Sequence, residues 1–141
     1  MRRAVDGGQT WSAPLIAAEG YCGGQCSYDN PIEVDPFDAN IVYLGGNARG
    51  TCSDAMKKSS DGGTTFTRDD TGLHADSHDI HITGAVSPTV AFIANDGGIW
   101  KRVANLAAAT AWTNLNNAPL NTMQFQSVAV HPTNQNFTLG G

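Results

Sequence analysis

The chain has 141 residues, with 8 Lys or Arg against 13 Asp or Glu, so its formal net charge at pH 7 is −5. This acidic balance disfavours nucleic acid and anionic membrane surfaces as partners, because both are bound through clustered positive charge. No apolar run approaches the roughly 18 residues of a membrane-spanning helix, and we expect no signal peptide within these residues. The 16 Gly and 6 Pro instead favour many short strands joined by turns.

The first predicted element along the chain is a tight turn in AVDGGQTW, from Ala4 to Trp11. Asp-Gly is a strong hairpin signal, because Gly accepts a positive φ and the Asp side chain can bind nearby backbone. The same pattern, Asp-Gly-Gly-x-Thr-aromatic, returns in SSDGGTTF, from Ser59 to Phe66. Each copy therefore predicts a tight turn between two strands.

A second sequence pattern repeats independently of these turns. VDPFDANIVYLGG (Val34 to Gly46) and VHPTNQNFTLGG (Val130 to Gly141) both read as strand, turn, strand and Gly-Gly, and a weaker version surrounds Pro88. The 96 residues from Pro36 to Pro132 hold two such units, of about 48 residues each. The chain is therefore predicted to be a repeat protein built from short strands.

The segment SSDGGTTF resembles the Asp-box, or BNR repeat, whose pattern is Ser/Thr-x-Asp-x-Gly-x-Thr-Trp/Phe. The earlier copy has Ala4 in place of the Ser/Thr. The string GLHADSHDIHITGAVSPTVAFIANDGGIWKR is similar to blades of bacterial sortilin-like propellers. The matching positions are Asp6, Gly8, Thr10 and Trp11 in the first copy, and Ser59, Asp61, Gly63, Thr65 and Phe66 in the second.

This resemblance implies an all-β fold, a β-propeller segment of four-stranded antiparallel blades. The Asp-box is then a structural turn between the third and fourth strands of a blade, so that Asp6 and Asp61 stabilise their own turns. About three blades are expected, two of them complete. The predicted divisions are the end of one blade at 1–18, blades at 19–70 and 71–116, and the start of another at 117–141.

The repeat also predicts where the strands and the longer loops lie. Strands are expected at 32–34, 41–44, 56–59 and 65–68, at 80–82, 90–93, 99–103 and 111–113, and from 126 to 130. Alternate connections of a blade emerge on opposite faces, so the face opposite the Asp-boxes carries the longer loops. Any function is expected on that face, in loops 19–30, 47–55, 69–79, 95–98 and 115–125.

Three cysteines lie in two of these loops. A disulfide from Cys52 to either Cys22 or Cys26 is expected, which would indicate an extracytoplasmic or secreted protein. A zinc site is less favoured, because a fourth ligand is lacking nearby.

The densest polar cluster is HADSHDIH, from His74 to His81. Asp76 and His78 in this cluster, together with Asn95 and Asp96, are the candidate binding residues, since all four lie on loops of the same predicted face. Carboxylate and imidazole groups can hydrogen-bond sugar hydroxyls or ligate a divalent cation. No cofactor is required by this hypothesis, but Ca²⁺ held by Asp76 and Asp96 is possible. The alternative is an ordinary turn whose side chains bind backbone amides.

Two functions follow from the resemblance. The first is a non-enzymatic binding or scaffold segment of a secreted propeller, with a glycan or protein as ligand. Its open edges would be covered by the remaining blades of a longer propeller or by other chains. The alternative is part of a glycoside hydrolase, similar to sialidases or xyloglucanases.

Hydrolysis needs two carboxylates that flank the glycosidic bond or, in sialidases, a Tyr nucleophile with an acid. Asp76 with Asp96 could supply the first arrangement, and Tyr21 or Tyr28 with Glu33 the second. None of these residues lies in a matched catalytic motif, so the catalytic residues stay unknown. The sequence thus favours binding over catalysis.

Overall fold

The computed structural model describes residues 1–15, 20–47, 55–84, 88–103, 110–117, 128–134 and 136–140. Within these residues, the regular elements are ten short β-strands and one turn of 3-10 helix at Gly23–Gln25. The strands are β1 (Ile32–Val34), β2 (Val42–Gly45), β3 (Met56–Ser59), β4 (Thr67–Arg68), β5 (Ser77–Thr83), β6 (Val90–Asn95), β7 (Gly98–Val103), β8 (Thr113–Asn114), β9 (Val128–Val130) and β10 (Thr138–Gly140).

The strands form two four-stranded antiparallel sheets and one hairpin. The strand order is β1-β2-β3-β4 in the first sheet, here called blade 1, and β5-β6-β7-β8 in the second, blade 2. Strands β9 and β10 pair with each other. The predicted all-β fold of four-stranded, propeller-like blades is therefore confirmed, with two complete sheets and one further hairpin. None of the described segments contains a helix long and apolar enough to cross a membrane.

The two Asp-Gly-Gly segments form turns with the same internal hydrogen bonds; residues 4–11 are called Asp turn 1 and residues 59–66 Asp turn 2. In Asp turn 1, the amide and hydroxyl of Thr10 donate to the Asp6 carboxylate at 3.0 and 2.6 Å. In Asp turn 2, Thr65 donates to Asp61 in the same way, at 2.8 and 2.6 Å. The Gly pair in each turn has positive φ, which a side chain would disfavour.

Asp turn 2 has additional hydrogen bonds, all made by Ser59. The Ser59 hydroxyl accepts a hydrogen bond from the Gly63 amide at 2.8 Å and donates to Asp61 at 2.8 Å. Ala4, at the matching position of Asp turn 1, has no side-chain oxygen. The hydrogen bonds from Thr65 and then Ser59 lower the pKa of Asp61 to about 2, because they favour the charged carboxylate.

The hydrophobic core lies between the two blades. Blade 1 contributes Tyr43 and Met56, both fully buried, and blade 2 contributes Ile93 and Trp100. Burial raises the pKa of the Tyr43 hydroxyl to about 12. The other members of this cluster are Ile41, Ile80, Ile82, Ala91 and Trp112. Packing of blade on blade, rather than a core within one sheet, is thus what stabilises the fold.

A buried ion pair crosses the same interface. Asp69, which follows β4, accepts hydrogen bonds from both terminal nitrogens of Arg102 on β7, one of them at 2.7 Å. The Arg102 guanidinium also stacks on Trp112, 4.5 Å from the ring centroid, and the Trp112 indole donates to the Asp69 carbonyl at 2.8 Å. Burial opposes the charge of Arg102, but contact with Asp69 outweighs this and raises the pKa of Arg102.

Candidate functional site

The candidate site lies where three segments from the two blades meet. Residues 20–30 lead into β1, residues 74–76 lead into β5, and a tight turn joins β6 to β7. The last two are held together by pairing of Ser77 with Asn95 and by a hydrogen bond from the Asp96 amide to the Asp76 carbonyl at 3.3 Å. Side chains from both blades can therefore converge here.

His78 is the centre of this site because a β-bulge redirects it. Ser77 pairs with Asn95 and Asp79 pairs with Ala94, so His78 is the extra residue of the bulge. A bulge interrupts the alternation of side chains along a strand and re-aims the residue that it contains. His78 and Asp79 are accordingly both exposed, although they are neighbours in a strand.

Both ring nitrogens of His78 meet a carboxylate. Nε2 lies 2.6 Å from Oδ1 of Asp96, and Nδ1 lies 3.1 Å from Oδ1 of Asp29. Asp29 is fully buried, whereas Asp96 has about a third of its side chain exposed. His78 therefore links the loop before blade 1 to the β6–β7 turn of blade 2.

Tyr28 forms the outer surface of the site. Its ring lies nearly parallel to that of His78, with centroids 6.4 Å apart and an interplanar angle of 17°. Tyr28 is 56% exposed, and its hydroxyl accepts a hydrogen bond from Gln25, whose carbonyl accepts one from Asn47. Tyr28, Asp29, His78 and Asp96 together are called the His78 shelf.

The four predicted binding residues lie close together but differ in accessibility. His78 and Asp96 reach solvent. Asp76 is only 3% exposed and adopts a left-handed backbone with φ of 60°, which is uncommon outside Gly. Asn95 is 6% exposed; it donates to the His74 carbonyl at 2.9 Å and accepts from the Gly97 amide at 3.0 Å. Asp76 and Asn95 thus shape the turns, and His78 and Asp96 are available to a ligand.

The arrangement does not favour the calcium site considered at Asp76 and Asp96. Asp96 already accepts a hydrogen bond from His78, and Asp76 is buried. In the part of the chain that the structure describes, no three or more His, Cys, Asp or Glu side chains are arranged to hold a metal ion.

The disulfide prediction is wrong in its pairing. Cys22 and Cys26 are bonded to each other, with Cα atoms 4.8 Å apart, which is normal for a disulfide. A cysteine forms only one disulfide, so neither is available to Cys52, which itself lies outside the described residues. The bond instead closes the short loop that carries Gln25, the partner of the Tyr28 hydroxyl.

Asp29 is the residue of the shelf that sequence reasoning missed. It follows Tyr28 in a loop that was expected on the functional face, but a lone Asp in a loop of this kind has no distinguishing pattern. Its role depends on a contact with His78, far away in the sequence. The Asp69–Arg102 ion pair was missed for the same reason.

Comparisons with family models, with curated protein sequences and with solved structures give no match to this chain.

Proposed function

We propose that the chain is a non-enzymatic glycan-binding segment of an Asp-box β-propeller, with the His78 shelf as its binding surface. The observation that carries this proposal is the bulge at His78, which places an imidazole and the Asp96 carboxylate beside the exposed ring of Tyr28. A flat aromatic ring offers apolar contact, and the adjacent polar groups can fix orientation through hydrogen bonds. Sugars present both apolar ring faces and hydroxyl groups that form hydrogen bonds.

The Asp-box assignment is supported by the two Asp turns. Each uses the Asp carboxylate to accept hydrogen bonds from a Thr four residues later, so the repeated Asp has a structural role and is not part of the binding surface. As a member of such a family, the protein would be secreted, and the Cys22–Cys26 disulfide is consistent with an oxidising compartment. The remaining blades of a longer propeller, or other chains, would cover the open edges of this segment.

A neutral glycan fits the shelf better than an anionic ligand. Asp29 and Asp96 flank the imidazole of His78, so two carboxylates lie at the shelf. An anionic sugar would bring its charge close to both carboxylates, and this repulsion would oppose binding. Neutral oligosaccharides are therefore the ligand class proposed here; a protein ligand is the alternative.

The glycoside hydrolase alternative is less favoured by the same geometry. Glycosidases keep two carboxyl groups on either side of an open space that receives the glycosidic bond. Of the candidate pair, Asp76 is only 3% exposed, and the Asp96 carboxylate lies 2.6 Å from Nε2 of His78, so the two are not both open to a substrate. Tyr28, considered as a sialidase-type nucleophile, has its hydroxyl bound to Gln25.

Titration with a panel of neutral oligosaccharides, followed by calorimetry or by amide chemical shifts, tests the proposal. Tyr28→Ala should weaken binding by at least about tenfold, since stacking and buried aromatic area are lost. Phe37→Ala is the matched control: Phe37 is also about half exposed, at 54%, but lies in the β1–β2 turn away from the shelf. The Phe37→Ala variant should bind the oligosaccharides with the same affinity as the wild type.

His78→Ala should also weaken binding, and His81→Ala, an exposed position on the same strand, should not. If no oligosaccharide binds, or if Tyr28→Ala and Phe37→Ala bind equally well, the glycan proposal is refuted. Release of reducing sugar from the same panel would instead favour the hydrolase alternative.

A further inference from the structure

The turn between β9 and β10 carries a sequence pattern that the proposed function does not use. Asn136, Phe137 and Thr138 read Asn-x-Thr, and at no other place in the sequence is an Asn followed two positions later by Ser or Thr. On the surface of a secreted protein, this pattern is the acceptor signal for N-linked glycosylation. Such a short pattern also arises by chance, so the geometry of the turn decides whether Asn136 can be an acceptor.

The turn between β1 and β2 is a reference for this geometry, because its backbone is hydrogen-bonded in the same way. There, the Asp35 amide donates to the Ile41 carbonyl at 3.0 Å. In the turn between β9 and β10, the His131 amide donates to the Phe137 carbonyl, also at 3.0 Å. In both turns an Asn directly precedes the residue whose carbonyl accepts. The two Asn side chains can therefore be compared.

These two residues, Asn40 and Asn136, differ in what their side chains bind. Their backbone amides make equivalent hydrogen bonds, at 3.0 Å from Asn40 to Oδ1 of Asp38 and at 3.1 Å from Asn136 to Oδ1 of Asn134. Nδ2 of Asn40 donates to the same Asp38 oxygen at 3.0 Å. Within the described residues, Nδ2 of Asn136 makes no corresponding bond. The side-chain nitrogen of Asn136 is thus available for reaction.

The surroundings of Asn136 leave this nitrogen accessible. Asn136 is exposed, and Phe137, the middle residue of the pattern, is 51% exposed. The turn is supported by His131, whose Nδ1 accepts from the Asn134 amide at 3.1 Å and whose ring meets that of Phe137 edge-on, with centroids 6.1 Å apart. A transferase can approach Nδ2 of Asn136, and a bulky oligosaccharide there would extend into solvent.

A second, independent feature agrees with the compartment in which such a transfer occurs. N-linked oligosaccharides belong to secreted and surface proteins, and disulfides form and persist in the same oxidising environments. The Cys22–Cys26 disulfide of this chain is consistent with that environment. The sequence pattern, the free side-chain nitrogen and the disulfide therefore point the same way.

We propose that Asn136 is an acceptor site for N-linked glycosylation, with Thr138 as the second residue that the transferase recognises. The oligosaccharide is delivered as its polyprenyl diphosphate. A bond forms between Nδ2 of Asn136 and C1 of the first sugar, and the bond from C1 to the diphosphate oxygen breaks. The diphosphate leaves with that electron pair, and Nδ2 loses one proton. The site presupposes the extracytoplasmic location given in the proposed function, but it is independent of glycan binding by the His78 shelf.

Expression of the full chain behind a cleavable export signal in a eukaryotic cell tests this site, with exported and cell-retained protein analysed together by mass spectrometry. The wild type should carry one oligosaccharide. A peptide N-glycosidase should remove it without denaturation, because Asn136 is exposed. Asn136→Gln and Thr138→Val should each abolish the modification, whereas Thr138→Ser should keep it, since a hydroxyl group remains.

Asn40→Gln is the matched control, because Asn40 lies in the equivalent turn but is followed by Ile41 and Val42; it should be modified like the wild type. Tyr28→Ala should be modified too, which separates this test from that of the His78 shelf. A wild-type chain without oligosaccharide overturns the proposal, and so does an oligosaccharide that Asn136→Gln retains. Neither result would affect the glycan-binding proposal, which titration measures separately.

Discussion

Two side chains of blade 2, Arg102 and His78, make contacts of opposite character with carboxylates. In the core, the Asp69 carboxylate is fully buried and accepts two hydrogen bonds from Arg102. At the His78 shelf, the Asp96 carboxylate is about one third exposed and accepts one hydrogen bond from His78. A buried charge is stabilised only by its protein partners, whereas an exposed charge can also be solvated by water. The core contact therefore determines stability, and the shelf can exchange partners with a ligand.

The largest effect is expected from breaking the buried pair. Asp69→Ala leaves Arg102 buried without its carboxylate, which should lower the free energy of unfolding by about 3–5 kcal/mol. Urea denaturation measures this, with Asp79→Ala, an exposed carboxylate on β5, as a control that should change stability by less than about 0.5 kcal/mol. Equal losses in the two variants would show that the ion pair does not hold the blades together.

Removal of apolar volume from the same interface should have a similar or slightly smaller effect. Met56 is fully buried between the blades, so Met56→Ala is expected to cost about 2–5 kcal/mol, by loss of burial and by the cavity that remains. Val5→Ala is the control, because Val5 is 86% exposed and should have almost no effect. Thermal or urea unfolding distinguishes them; a Met56→Ala protein of wild-type stability would place the core elsewhere.

The exposed contact should matter far less to stability. Asp96→Ala removes the 2.6 Å contact with His78, and such partly exposed ion pairs contribute about 0.2–1 kcal/mol. Oligosaccharide affinity should fall more clearly than stability in this variant, because Asp96 lies on the shelf. A loss of stability as large as that of Asp69→Ala would contradict the distinction between the two contacts.

The smallest effect concerns the exposed carboxylate of Asp turn 2. The pKa of Asp61 is lowered to about 2 in the folded chain, from 3.8 for an unperturbed carboxyl. This group therefore stabilises the fold above about pH 4, and the contribution is lost as pH falls from about 4 to about 2. The difference in unfolding free energy between the wild type and Asp61→Asn should shrink over this range. A difference that is constant down to pH 2 would rule out the role of the charge.

Much of the fold could be predicted from local patterns. The Asp-Gly-Gly turns and the Pro-containing turns predicted short strands joined by tight turns, and the resemblance to Asp-box propellers implied two four-stranded sheets and part of another. Strand ends differ from the prediction by a few residues. For example, β2 covers Val42–Gly45 rather than 41–44, and β5 covers Ser77–Thr83 rather than 80–82. Turn chemistry acts between near neighbours, so the sequence contains it directly.

The candidate site was predictable only in part. His78 and Asp96 were identified because both lie in loops of one predicted face, and the structure brings their side chains together. Asp76 and Asn95 belong to the same loops, but their burial depends on packing, which no local pattern reports. The disulfide was assigned to the wrong pair because a choice among three cysteines depends on distances in space.

What the sequence by itself determined about this protein is the order of its strands and the two turns that Asp6 and Asp61 stabilise, since these interactions span only a few residues. Tertiary structure decided the rest: the bulge that re-aims His78, the meeting of Asp29 with that ring, and the burial of Asp69 against Arg102. Each of these joins segments that are distant along the chain. Their contacts form only when whole blades pack, because blade-on-blade burial of apolar surface sets the distances between them.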